Sequence, residues 1–207
     1  IDYRGYEIEI FQDPEPMAPN EWGNDEVFLV YDHRDFYVEE KGFNPEEIFD
    51  YLQETGNSTY EGYWVFPVYA YIHSGVSLSL SRNTYPHTCP WDTSFRGFAL
   101  VKREKGTWKE DDAYERASGL IDEWNMYLSG DVYGYNSEVG GCWGFFGREM
   151  CEQMITEAKA EIDYHIEQKT KKHLARLKDQ IKNGAPLYAR QSIPLDNITQ
   201  QTKPQSA

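Results

Sequence analysis

Paired cysteines, long apolar runs and glycine-rich phosphate loops are all missing from this sequence, and each absence closes a class of function. Cys89, Cys142 and Cys151 are the whole thiol content. An odd number without framework spacing argues against a disulfide-stapled secreted domain, so a reducing, cytoplasmic setting is expected. The richest apolar stretch, Tyr63 to Ile72, contains Pro67 and is about half the length that crosses a bilayer, and no signal peptide is expected ahead of Ile1. No membrane partner is expected. Neither Gly-x-Gly-x-x-Gly nor Gly-x-x-x-x-Gly-Lys stands between a strand and a helix, which leaves nucleotide-driven chemistry unsupported. Paired Cys-x-x-Cys or His motifs are absent too, so His73, His87, Cys89 and Cys142 are not expected to hold zinc, and no cofactor is expected.

Basic residues are scarce in one region only. Residues 1–61 hold 17 Asp and Glu against Arg4, Arg34 and Lys41, a net −14, whereas residues 62–207 carry a net −1 of the chain's −15. Aromatic side chains are plentiful, at 15% with 16 tyrosines and 6 tryptophans, and supply large, partly polar rings for core and contact surface alike.

The length of 207 residues predicts one domain over 1–185, followed by a polar tail, 186–207, with too little apolar content to fold alone. Apolar and acidic residues alternate over Tyr6 to Ile10, the period of a strand with an acidic outer face. The proline-bearing segment from Asp13 to Asp25 resists regular structure, and Val27 to Tyr31 reads as a buried strand. Asn44 as cap, Pro45 at the first position, Glu47 placed to reach back and Phe43 stapled to Ile48 predict a helix that Gly56 ends. Tyr63–Ile72, Val76–Leu80 and Phe98–Arg103 are further strands, with Pro67 marking an edge or a bulge. A capping box at Thr107–Glu110 opens a second helix, which Ser129-Gly130 stops. Val132–Tyr135 and Cys142–Phe146, flanking Val139-Gly140-Gly141, predict a hairpin, and Arg148–Lys182 a long helix. The fold class is therefore α+β: a mostly antiparallel sheet with two or three packed helices, the last one long, and a disordered C-terminal tail.

Several motifs together resemble a widespread family of largely uncharacterised proteins encoded by bacteriophages, prophages and other mobile elements. They are Ile8 to Asp13; Pro19 with Glu21-Trp22-Gly23-Asn24; His73-Ser74-Gly75 with Cys89-Pro90-Trp91-Asp92; Tyr127 to Tyr135; and Cys142-Trp143-Gly144-Phe145-Phe146-Gly147. The resemblance covers roughly residues 6–147 and implies a phage or mobile-element setting without implying a reaction. The chain departs from the pattern after Asn24, where it is more acidic.

Candidate chemistry follows from residue type. His87, Cys89 and Asp92 bring an imidazole, a thiol and a carboxylate into one segment, as a cysteine nucleophile would need; a packed loop is the plainer reading. Asp13, Glu15, Asp25 and Glu26 have the donors for Mg²⁺ or Mn²⁺ but lack the neighbouring bases that phosphate chemistry wants. The basic run Lys169–Lys182 is read as a solvated helix end. No catalytic residue and no metal ligand is therefore assigned.

The acidic third is the strongest signal. Carboxylates held on a strand, a loop and a helix can approach the charge density of B-DNA, about one charge per 1.7 Å. The expected function is inhibition of a host defence nuclease, of anti-CRISPR or anti-restriction type, by a nucleic-acid-mimicking surface on a partner with a basic cleft. Direct nucleic-acid binding is not expected. The residues expected to carry it are Asp13, Glu15, Glu21, Trp22, Asp25, Glu26, Asp32, Asp35, Tyr37, Glu39, Glu40, Glu46, Glu47, Asp50 and Glu54. Alternatives are a metal- or cysteine-dependent enzyme, a module that sequesters a small defence signal among rings such as Tyr133, Tyr135 and Trp143, and an adaptor that dimerises through the long helix over Met150–Ile166.

Overall fold

A computed structural model describes residues 1–23, 26–40, 42–103 and 109–184. In chain order the elements are β1 (Asp2–Tyr3), β2 (Tyr6–Gln12), β3 (Val27–His33), β4 (Phe36–Val38), α1 (Pro45–Thr55), β5 (Thr59–Tyr60), β6 (Tyr63–Ile72) and β7 (Val76–Ser79). They continue with β8 (Thr93–Lys102), α2 (Glu110–Ser129), β9 (Val132–Ser137), β10 (Gly140–Phe146) and α3 (Cys151–Lys182). The fold is α+β with antiparallel pairing and a long last helix. The expected tail lies outside the described residues.

The described residues gather into two compact units, one of residues 1–11, 133–145 and 149–184, the other of those within 12–132 and 146–148. In the first, strands run in the order β1-β2-β9-β10. Ile8 on β2, Tyr135 on β9 and Phe145 on β10 are buried against Met154, Ala158 and Ile162 of α3, while Glu7 and Glu9 stay exposed as the alternation predicts. The turn between β9 and β10 falls at Glu138-Val139, ahead of Gly140-Gly141, which join β10. Met154, Ala158 and Ile162, within the stretch Met150–Ile166 named for dimerisation, pack on their own sheet and belong to this unit's core.

The second unit is a six-stranded sheet in the order β4-β3-β8-β6-β5, with β7 beside β6. Alternation sends Leu29, Tyr31, Phe66, Val68, Ala99 and Val101 to one face, where Ala113, Ala117, Leu120, Ile121 and Trp124 of α2 cover them. Phe28, Val30, Val65, Phe98 and Leu100 take the other face, against Ile48 of α1. Pro67 is accommodated because β5 pairs only with Tyr63 and Trp64 and β7 only from Tyr69 onward, so no ladder on that side needs its missing N–H. A register shift follows at Val68/Tyr69, the bulge expected beside Pro67. β8 begins at Thr93, five residues before the expected Phe98, because Thr93, Ser94 and Phe95 pair with Tyr71, Ala70 and Tyr69.

Between Asp13 and Asp25 a short 3-10 turn, Pro19–Trp22, interrupts the expected irregular segment. The Glu21 carboxylate closes it by accepting the Ala18 N–H at 2.9 Å. Thr107 and Trp108 of the second expected capping box lie outside the described residues; α2 is capped where the Lys109 N–H donates to Asp112 at 3.3 Å.

Candidate functional site

The α1 face of the six-stranded sheet collects the carboxylates that the sequence singles out. Asn44 Oδ1 accepts the Glu46 N–H at 2.8 Å, Pro45 holds the first helical position, and Phe43 joins the cluster around Ile48, fixing how α1 enters the sheet. Its buried side is thereby set, and Glu46, Glu47, Asp50 and Glu54 project into solvent. Asp32 follows Phe28 and Val30 on the same face of β3 and is exposed. Tyr37 and Glu39 lie beside it: Glu39 foremost, then desolvation and Asp32, push the Tyr37 hydroxyl above its ordinary pKa. No described Lys or Arg is paired with Asp32, Glu39, Glu46, Glu47, Asp50 or Glu54.

Next to these acids a cleft of about 310 Å³ opens between the start of α1 and β8, lined by Asp32, Pro45, Glu46, Phe49 and Phe95 to Phe98. The bulge shapes it. Val68 opposes Gly97 and Tyr69 opposes Phe95, so Arg96 is the extra residue on β8 and borders the cleft. Rings continue from there: Phe49 lies 5.9 Å from Phe95, Phe95 lies 5.5 Å from Tyr69, and Tyr71 follows Tyr69 on the same side of β6. Tyr71 in turn contacts His73 and His87, at 6.3 and 6.4 Å. The segment bearing His87 also presents Tyr85 and Trp91, which are 85% and 92% exposed. Sequence reasoning missed Phe49, Phe95, Arg96, Tyr69 and Tyr71. The alternation in β6 places its tyrosines on one face, but the bulge that adds Arg96 leaves no period to read.

The other expected contact residues fall elsewhere. Ala18 packs into the α2-side cluster, which puts Glu21 and Trp22 at that side, and the Trp22 ring lies 6.0 Å from Phe146. Asp13 accepts the Glu15 N–H at 3.0 Å and borders a separate shallow depression with Pro14, Pro16 and the end of α2. Asp35 is held by Arg34 at 2.9 Å, and this hydrogen bond keeps its carboxyl below the usual range. Glu26 sits 3.6 Å from Arg116, and Glu40 forms a backbone bridge with Phe43. Asp25 lies outside the described residues.

Around Cys89 the groups stand in an order unlike that of a nucleophilic triad. The thiol donates to Asp92 at 3.4 Å, and Asp92 in turn lies 3.7 Å from His73 Nδ1. The carboxylate thus stands between sulfur and imidazole, in place of the thiol–imidazole contact that a cysteine nucleophile needs. His87 is 3% exposed, its Nδ1 finds no hydrogen-bond partner among the described residues, and burial lowers its pKa. Among the described residues no group of three or more His, Cys, Asp or Glu is arranged to hold a metal ion. The rings named for a ligand pocket also separate: Tyr135 is buried in its unit's core, where burial first and Glu161 second push its hydroxyl to about 12, whereas Trp143 lies over Gly134 and stacks 6.5 Å from Phe11. Among the described residues no helix is long and apolar enough to cross a membrane.

No protein family, curated protein or solved structure matches this chain.

Proposed function

We propose that the chain is a binding protein without catalytic residues, and that it sets the α1 face of the six-stranded sheet against the basic, nucleic-acid-binding cleft of a protein partner. In the phage or mobile-element setting that the sequence motifs imply, the partner is a host defence nuclease in the host cytoplasm and the outcome is anti-CRISPR or anti-restriction inhibition. The observation that carries this reading is a run of carboxylates, Asp32, Glu39, Glu46, Glu47, Asp50 and Glu54, that no described Lys or Arg pairs, beside exposed rings on one face. Like charges gathered on one face repel one another, so the arrangement favours a cationic partner. Carboxylates steer the encounter and pair with Arg and Lys, while Tyr37 and Phe49 supply the apolar contact that charge alone lacks.

The test is inhibition of purified Cas and type I restriction nucleases by the wild-type chain and by Glu46→Gln/Glu47→Gln/Asp50→Asn/Glu54→Gln. Expected is stoichiometric inhibition that competes with DNA, weakens as salt rises, and falls about tenfold or more in the variant. Full inhibition by the variant, or turnover at trace amounts of the chain, would sink the reading. The cleft beside Phe49 and Phe95 favours a second reading, a module that sequesters a small defence signal. Calorimetry with signalling nucleotides separates the two, since only the second expects heat without a protein partner.

A further inference from the structure

Helix α3 changes surroundings along its length. Met154, Ala158 and Ile162 have no exposed area, but no residue from Glu167 to Lys182 is buried. Ile166, partly buried against its unit's core at the head of that half, and Leu174, Leu177 and Ile181 within it fall in a sector of about 80° around the helix axis. Leu174 and Ile181 are 50% and 57% exposed. On the same wheel Lys171, Lys178 and Lys182 border one edge of the stripe, and Lys169, Lys172 and Arg176 the other. Glu167 and Asp179 are the only acids there, and Glu167 is already engaged by Lys171 at 2.6 Å.

An apolar stripe edged by cations on both sides fits an apolar groove walled by carboxylates. The chain carries a surface of that kind: the band Phe49, Phe95 and Tyr69 alongside Glu46, Asp50 and their neighbours on α1. The lengths agree, since Ile166 to Ile181 spans about 22 Å and the 11 residues of α1 about 16 Å. We propose that the segment Ile166–Lys182 of one copy docks along α1 of a second copy, its leucines over the rings and its lysines against the carboxylates. Self-association then covers the face offered to a partner, so a second copy and the partner compete and the free face is scarcest at high protein concentration. This inference needs the α1 face but not the nuclease: it is read by mass, not by inhibition, so the two readings fail separately.

The experiment is the mass of the full chain by sedimentation from about 1 to about 200 µM, at about 50 and about 500 mM NaCl. Expected is a mass that rises with concentration at low salt, with association about tenfold or more weaker at high salt. Lys169→Glu/Lys172→Glu/Arg176→Glu and Glu46→Lys/Glu47→Lys/Asp50→Lys should each be monomeric alone, because each faces like charge with like. Mixed, they should associate, since the acidic helix of one meets the basic α1 of the other. Leu174→Ser/Leu177→Ser, with charges intact, should also weaken association about tenfold. Circular dichroism checks that every variant keeps its fold. A wild-type chain that stays monomeric throughout, or variants that remain folded and do not associate when mixed, would overturn the proposal.

Discussion

The two faces of the six-stranded sheet are covered unequally. On one, the 20 residues of α2 extend about 30 Å and place five buried side chains, Ala113, Ala117, Leu120, Ile121 and Trp124, on the strands. On the other, the 11 residues of α1 bury Ile48 alone. Strands β6 and β8, with 10 residues each, outrun that short helix, and Tyr69, Tyr71 and Phe95 remain only partly covered. Partial cover is what turns one side of a sheet into a surface that can bind: the same alternation that fills a core on the α2 side puts rings beside carboxylates on the α1 side.

If the faces differ in this way, their large side chains should differ in worth. Trp124→Ala on the α2 side empties a fully packed position and should cost about 3–5 kcal/mol, whereas Phe49→Ala, at a ring 40% exposed, should cost about 1 kcal/mol or less. Urea unfolding of the two variants measures both, and equal losses would break the comparison. Gly97 sharpens it further. The Tyr31 ring lies directly over this glycine on the α2 side, and an added Cβ would meet that ring, the Val30 carbonyl and, at 2.8 Å, Tyr31 Cα. Gly97→Ala should therefore cost about 2–3 kcal/mol, because β3 has no room to move without disturbing the packed face. On the α1 side the comparable feature is the cap, and Asn44→Ala should cost about 1 kcal/mol through loss of the bond from the Glu46 N–H.

Much of this contrast is legible in the sequence. Period-2 alternation finds β2, apolar and β-rich residue types find β3 and β6, and the Asn44-Pro45 start and the Ser129-Gly130 stop mark α1 and α2, because those signals are local. What escapes depends on pairing. The early start of β8 is set by β6, the Glu138-Val139 turn by how β9 and β10 meet, and the bulge at Arg96 by a register that no single strand encodes. The candidate site divides in the same way: the carboxylates of α1 are readable from its caps, but the separation of Glu21 and Trp22 from them, and the engagement of Asp35 by Arg34, are tertiary facts.

His87 offers a comparison with pH as the lever. Burial lowers its pKa below the ordinary value of about 6.5, so between the two values the unfolded chain takes up a proton that the folded chain refuses. Its neutral form is fully compatible with the fold above about pH 6.5, and stability is lost as pH falls from there toward the folded pKa. The imidazole resonances of His87 should titrate with a midpoint below about 6.5, and His87→Phe should flatten the stability slope on the acid side of that value. An unshifted midpoint would mean that the segment bearing Tyr85 and Trp91 is not anchored by a buried neutral ring.

The smallest expected effect is the most informative about the α1 face. Glu46, Glu47, Asp50 and Glu54 touch no described cation, so replacing them with Gln, Gln, Asn and Gln removes repulsion and no ion pair. Two of them, Glu46 and Glu47, also complement the positive end of the helix, which offsets part of that relief. The net change in stability should lie within about 0.5 kcal/mol of zero, and the small gain on the side of relieved repulsion should shrink as salt rises. Thermal melts at low and moderate salt read this directly. A loss of more than about 1 kcal/mol would mean that the carboxylates hold the fold together, and a surface whose charges stabilise its own fold is not one kept free for a partner.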